Sequence, residues 1–263
     1  MIGNKDRYAL VTGASSGIGY ELAKLFAKDG KNIVVVARSK DKLETLKKEI
    51  ESSYGTVVKV LPKDLSDPKS PLEIYSEIEK EDINVDVLVN NAGFTVYGMF
   101  SKTDWQKEAE MIQVNITSLT HLTKLFLNKM LENNSGRIMN IASSIGFFSA
   151  PLMSIYAATK SYVIHFSEAI ANEVKGTGVS VICFCPTATR SLFWERANAQ
   201  HTRAAKMMRM MDSATAARIG YKSLKKGNVI AIANLQDKLM IFLNRFTPRG
   251  LNTRMMRWAF KGE

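Results

Sequence analysis

Tyr156 and Lys160 stand four positions apart in Tyr156-Ala157-Ala158-Thr159-Lys160, and Ser143 lies thirteen positions before the tyrosine. In a helix beginning near Pro151, that step puts a phenol and an ammonium on one face, one turn apart. A fixed cation favours phenolate, which predicts a Tyr156 pKa drawn down from about 10 toward the operating pH, where a phenol can give or take a proton. Ser143 follows Ile138-Met139-Asn140-Ile141, which reads as a buried strand ending at Ala142, and a hydroxyl at such a strand end can hydrogen-bond a substrate oxygen. Acid, activator and hydroxyl donor together suit proton transfer at a carbonyl or alcohol. Ordinary helices also carry Tyr and Lys one turn apart, so the elements around them must decide.

Those elements alternate. Tyr8-Ala9-Leu10-Val11 reads as a strand, Thr12-Gly13-Ala14-Ser15-Ser16-Gly17-Ile18-Gly19 as a glycine-rich turn, and Leu22, Leu25 and Phe26 recur at helical spacing. Such a turn lets backbone approach a pyrophosphate, whose charge the amides of the helix start stabilise, so Gly13, Ser15, Ser16, Gly17, Ile18 and Gly19 are candidate cofactor contacts. The spacing Gly-x-x-x-Gly-x-Gly differs from the commoner Gly-x-Gly-x-x-Gly. The next strand, Asn32 to Val36, ends at Ala37-Arg38-Ser39-Lys40, where an acid would hold an adenosine ribose in an NAD site. Arg38 instead presents a planar fork matched to a 2′-phosphate, predicting NADP(H), with Ser15 and Lys40 as secondary contacts. A helix over 42–53 and a strand over 56–60 lead to Asp64, a candidate acceptor for the adenine amino group that also fits an ordinary turn opening a helix. The strand Val85 to Val89 runs into Asn90-Asn91-Ala92-Gly93, small enough for a ribose to lie against, with asparagine amides able to brace strand ends. Residues 104–130 read as one long helix with Asn115 on its inner side, which requires specific hydrogen bonds, to backbone or to water near Lys160. The repeat continues through Val179 to Phe184 and Asn228 to Ala233, so the expected fold is α/β, a doubly wound parallel sheet of the Rossmann type, in one domain over 1–263.

As a set these residues resemble the short-chain dehydrogenase/reductase family over residues 7 to about 191, through Thr12-Gly13-x-x-x-Gly17-x-Gly19, Asp64, Asn90-Asn91-Ala92-Gly93, Asn115, Ser143 and Tyr156-x-x-x-Lys160. The resemblance implies Tyr156 as general acid/base, Ser143 as the donor that positions the carbonyl, and Lys160 as the residue that holds the nicotinamide ribose and lowers the Tyr156 pKa. It implies that Asn115 holds a water linked to Lys160, that Arg38 goes with NADP(H), that Asn91, Ala92 and Gly93 contact the cofactor, and that homodimers or homotetramers form through the Asn115 and Tyr156 helices. The family's Pro-Gly-x-x-x-Thr is here Pro186-Thr187-Ala188-Thr189-Arg190-Ser191. Pro186, Thr189 and Ser191 are the expected carboxamide-side contacts, and Thr187 makes the backbone less permissive than glycine would.

The chain has 263 residues and 46% hydrophobic content, enough for a sizeable core. Charge is uneven: residues 190–263 hold 15 basic and 4 acidic residues, an excess equal to the whole chain's +11. A basic surface there suits anionic membrane or an acidic carrier, with nucleic acid less favoured, or it is a solvated face with no dedicated partner. Around 235–263, Leu235, Leu239, Phe242 and Phe246 share one stripe, and a second helix sets Arg254, Arg257 and Lys261 beside Leu251, Met255 and Trp258; such helices lie on membrane or pack on protein. Cys183 and Cys185 are too few for structural zinc, so no metal is expected. Residues 1–7 lack the apolar region of a secretory leader, which predicts a cytoplasmic protein. Phe94, Phe147, Phe148, Met153, Ile155, Phe193 and Trp194 predict a hydrophobic ketone or acyl substrate, covered by a segment over 191–211 rich in Met207, Met208, Met210 and Met211. The alternative is a non-catalytic NADP(H)-binding scaffold.

Overall fold

Ala9-Leu10-Val11 and Ile33-Val34-Val35-Val36 have no polar phase, as expected of strands covered on both faces, and every one of these residues is buried. In the computed structural model, which describes residues 7–190, 201–207 and 210–262, they lie in β1 (Arg7–Thr12) and β2 (Asn32–Ala37). With β3 (Val58–Pro62), β4 (Asn84–Asn90), β5 (Gly136–Ile141), β6 (Val179–Cys185) and a last strand, Ile230–Ile232, they form a seven-stranded sheet. Residues 189–190 (β7) and 211–212 (β8) make a small separate parallel ladder, so that last strand is β9. The sheet order is β3-β2-β1-β4-β5-β6-β9 and every pairing is parallel.

Successive side chains of a strand point to opposite faces, so the two faces of the sheet hold two cores. Ala9, Val11, Ile33 and Val35 pack against α1 (Gly17–Lys28), α2 (Lys40–Tyr54) and α8 (Ser213–Lys226) through Leu22, Phe26, Leu43, Leu46 and Leu224. Leu10, Val34 and Val36 face α3 (Ser70–Lys80) and α5 (Leu119–Glu132) through Ile74, Ile78, Leu122 and Phe126. Each fully buried leucine contributes about 1.5–3 kcal/mol. Because β1 has β2 on one side and β4 on the other, the winding reverses there, and the carboxyl ends of the strands open a crevice at that point. This is the doubly wound sheet that the alternation predicts.

Beyond shifts of a few residues, as in the last strand, three differences from expectation have a visible cause. The strand after α2 begins at Val58, because Val57 N is taken by Asn32 Oδ1 at 2.9 Å before the ladder starts. The tyrosine helix, α6, runs from Ser154 to Glu173, since Leu152 sits at φ +69 in the turn before it. The helix expected over 104–130 is α4 (Trp105–Ile112) and α5 joined by a wider π turn over Gln113–Ser118, with Asn115 inside the turn. Beyond β7 the chain forms α7 (Arg203–Met207), α9 (Leu235–Asn244) and α10 (Arg249–Phe260). The end of α10 returns to the sheet's carboxyl edge, where Tyr97 Oη donates to Phe260 O at 2.6 Å.

Candidate active site

At the crevice the chain builds a cavity of 350 Å³ that extends from Arg38 to Tyr156. One end is made by the turn between β1 and α1. Thr12 Oγ1 accepts from the amides of Asn91 and Ala92, both at 3.0 Å, while Asn91 Nδ2 donates to Thr12 O at 2.9 Å and Gly13 O at 3.2 Å. The Asn91 side chain thus locks β4 onto the glycine turn. Gly13 takes φ +67, and a Cβ at Gly19 would stand 2.7 Å from Gly13 O, so both positions require glycine. Gly13, Ser15, Ser16, Gly17 and Ile18 line the cavity; Gly19 supports it from behind. Ser16, the cap of α1, makes no side-chain cap bond. Its side chain therefore does not compete for the first amides of the helix, which suit a pyrophosphate.

Arg38 and Asp64 line the outer end, with Arg38 Nη1 3.9 Å from Asp64 Oδ2 and the arginine side chain 71% exposed. Asp64 Oδ1 also accepts from Ser66 N at 3.0 Å and Ser66 Oγ at 2.8 Å, so the ordinary turn and the cavity wall coincide. Lys40 is not at the cavity; Lys42, one turn C-terminal to Ser39, lines it instead. Once α2 starts at Lys40 the helix turns Lys42 inward, a phase that the residue types alone do not reveal.

The inner end gathers Ser143, Tyr156 and Lys160 with Ala92, Gly93, Pro186 and Thr189. Ser143 follows β5 and caps the short turn after it, accepting from Ile145 N at 3.4 Å, and Ser144 N donates to Pro186 O at 3.1 Å, joining the ends of β5 and β6. Lys160 Nζ donates to Ile141 O at 2.9 Å and lies 5.8 Å from the Tyr156 ring centre. Asn115 does not line the cavity. Its Nδ2 donates to Phe94 O and to Thr159 Oγ1, each at 3.1 Å, and its Oδ1 accepts from Phe94 N at 3.2 Å, so it ties the loop after β4 to α6 beside the tyrosine and lysine. The requirement for specific bonds is met by backbone and threonine.

The expected depression of the Tyr156 pKa is not found. Burial pushes the phenol up, and the Ser143 hydrogen bond only partly opposes it. Lys160 is buried with it, and burial lowers the ammonium to about 8 against the raising influence of Cys183 and Cys185. Desolvation penalises both charged forms and is the largest influence on each.

Thr187 is buried and lines the cavity without a left-handed φ, which among the described non-glycine residues occurs only at Asp82, Asn134 and Leu152. The backbone there does not call on the permissiveness that glycine would add. Among the apolar residues expected at the pocket, Phe94 and Met153 line it. Phe147 packs instead in the cluster of Leu119, Val163 and Ile164, Ile155 packs against the cluster that contains Tyr156, and Phe148 is likewise off the cavity. Ser191, Phe193, Trp194 and Met208 lie outside the described residues, as does most of 191–211. Sequence reasoning missed Ile145, Glu110 and Phe260, all on the cavity wall. The spacing of Met256 and Phe260 was the available signal for an inward face on α10. Cys183 and Cys185 are free and buried, with Sγ atoms 3.8 Å apart, and no group of three potential metal ligands occurs among the described residues.

A family model described as short chain dehydrogenase matches residues 7–202. The chain belongs to the short-chain dehydrogenase/reductase family. It is thus a member of an oxidoreductase family. This short-chain dehydrogenase is 37% identical over 185 residues to a very-long-chain 3-oxoacyl-CoA reductase of Anas platyrhynchos; the match covers 68% of this chain and 58% of that relative. It therefore spans little more than half the relative's length. Among solved structures, a short-chain dehydrogenase from Sphingobium yanoikuyae in complex with NADPH superposes with a TM-score of 0.83 at 29% identity, covering 93% and 94% of the two chains. A bulky-bulky ketone specific alcohol dehydrogenase from Comamonas testosteroni gives 0.77 at 28% identity, covering 93% and 92%.

Proposed function

We propose that this short-chain dehydrogenase/reductase uses NADP(H) to reduce a carbonyl on a bulky apolar or acyl-chain substrate, or oxidises the corresponding alcohol. The observation that carries this reading is the meeting of Ser143, Tyr156 and Lys160 at the inner end of a cavity whose outer end is Arg38. A nicotinamide dinucleotide, when bound, supplies or accepts the hydride. The chain's own residues do the rest. The amides at the start of α1 would hold the pyrophosphate and Arg38 the 2′-phosphate, exchanging its long contact with Asp64 for a charge-assisted fork. Lys160, fixed by Ile141 O, would hold the ribose. Ser143 would turn its hydroxyl from Tyr156 to the substrate oxygen, and Tyr156 would deliver a proton to that oxygen as it gains charge. Reduction is the direction that the NADP(H) reading favours, and burial, which raises the Tyr156 pKa, holds the phenol in the protonated form that this direction uses.

The substrate class is supported by the apolar wall of Phe94, Ile145, Met153 and Phe260, and by the 3-oxoacyl-CoA and bulky-ketone substrates in the names of the similar proteins. Ala204 and Met210 pack in the cluster that holds Met153 and Tyr156, which supports 191–211 as the segment covering the substrate. Assembly as a homodimer or homotetramer through α5 and α6, and a cytoplasmic location consistent with the two free thiols, are parts of the same proposal. The test is NADPH oxidation with a panel of 3-oxoacyl thioesters, ketosteroids, bulky aryl ketones, quinones and short aliphatic ketones. Turnover of the first classes over short ketones is expected. NADPH binding with no turnover across the panel would select the scaffold reading instead.

A further inference from the structure

The two C-terminal helices expose what a folded protein ordinarily buries. α9 turns Asp237 and Ile241 inward, and Asn244 Nδ2 on the same side donates to Phe147 O at 2.8 Å. On the opposite side stand Leu235, Leu239, Phe242 and Phe246, which are 81%, 57%, 54% and 74% exposed. The rings of Phe242 and Phe246 meet edge to face at 5.4 Å in an outward pair. α10 buries only Phe260 and presents Leu251, Met255 and Trp258, each more than half exposed.

Charge completes the pattern. Residues 235–262 contain Lys238, Arg245, Arg249, Arg254, Arg257 and Lys261 against a single acid, Asp237, and that acid is buried. None of the six cations forms an ion pair with a described residue. Helices with aromatic and aliphatic side chains outward and Arg and Lys beside them suit the boundary of an anionic bilayer, where apolar groups enter the acyl region and cations meet phosphates. A second copy fits poorly, because a two-fold contact would set these cations against their own copies with no exposed acid between them. No described helix is long and apolar enough to cross a membrane. Helices of this length and charge suit lying along a surface.

We propose that the outward face of α9 and α10 docks this protein on anionic phospholipid bilayers. The same α10 that presents Trp258 to lipid carries Phe260 in the wall of the catalytic cavity. Docking thereby brings the cavity wall to the phase in which a long-chain substrate is dissolved, a consequence that rests on the substrate reading above, whereas docking itself does not.

The test is co-sedimentation of the full chain with vesicles of phosphatidylcholine alone or mixed with phosphatidylglycerol. Binding to the anionic vesicles and weaker binding to neutral ones is expected, with affinity falling as salt shortens the Debye length from about 10 Å to about 3 Å. Arg254→Glu/Arg257→Glu should reduce the partition coefficient about twenty-five-fold or more, at roughly fivefold per basic residue removed. Leu239→Gln/Phe246→Gln should reduce it too, by loss of the apolar contact. Both pairs are on the exposed surface, so turnover of a water-soluble ketone serves as a control for folding. Equal binding to neutral vesicles, or no change in either variant, overturns the proposal. So does a stable dimer or a soluble acidic carrier that occupies the face while vesicles are not bound.

Discussion

Tyr97, in the loop after β4, holds the carbonyl of Phe260 at 2.6 Å across 163 positions of sequence. With the bridge between Thr202 and Gly262, this bond holds the end of α10 at the cavity, of whose wall Phe260 is part. Tyr97→Phe removes the donor while keeping the ring against His201, 5.6 Å away centre to centre. An orphaned carbonyl costs about 1–3 kcal/mol where it is buried. The expected result in steady-state kinetics is a raised KM for a long-chain substrate with kcat and the KM for NADPH nearly unchanged. An unaltered KM would separate Phe260 from substrate binding.

Tyr156→Phe keeps the ring in its buried setting and deletes only the transferable proton. Loss of general acid catalysis should lower kcat about 10²–10⁴-fold. NADPH affinity, read by fluorescence or calorimetry, should stay within a few fold, since the pyrophosphate and Arg38 contacts lie at the other end of the cavity.

Lys160 makes a prediction about pH and stability. Its pKa falls on folding from the ordinary 10.5 to about 8, through desolvation. Between those values the unfolded chain binds the extra proton, so this group's contribution is greatest above the unfolded value and is lost as pH falls to about 8. Lys160→Met should remove that dependence. Denaturant unfolding of the cofactor-free protein should show the wild type gaining stability from pH 8 to 10 relative to the variant, by up to about 3 kcal/mol. Turnover by the variant should be largely lost.

Arg38→Glu tests the cofactor preference. Losing a charge-assisted fork to a 2′-phosphate should weaken NADPH about tenfold to a hundredfold, and leave NADH within a few fold, when each dissociation constant is measured by titration. Equal weakening of both would make Arg38 a general electrostatic contributor only.

Thr187→Gly restores the residue of the family pattern, but the threonine backbone here is not left-handed. No gain in NADPH affinity is expected. Thermal unfolding should instead show a loss of about 0.5–1 kcal/mol from the added freedom of the unfolded chain.

Local features were legible in the sequence and long-range ones were not. The glycine turn, Arg38 and the Tyr156–Lys160 step each depend on a few adjacent residues, and the structure brings them to one cavity. Phe260 and Lys42 could not be placed the same way, because the first depends on the return of α10 and the second on the phase with which α2 begins. The Tyr156 pKa was misread because the sequence shows the neighbouring cation but not the depth of burial that opposes it. Asn91 does what its amide was expected to do, bracing the end of β4 against the glycine turn through the Thr12 and Gly13 carbonyls.

The widened turn at Gln113–Ser118 holds one surplus residue in what would otherwise be uninterrupted α winding, and from it Asn115 reaches both Phe94 and Thr159. Deleting one position there would rewind the segment by about 100°, turning the asparagine off its partners while α4 and α5 remained helical. Length changes at this point would thus be felt both at the contacts of Asn115 with Phe94 and Thr159 and in the phase with which α4 and α5 bury Met111, Leu122 and Phe126.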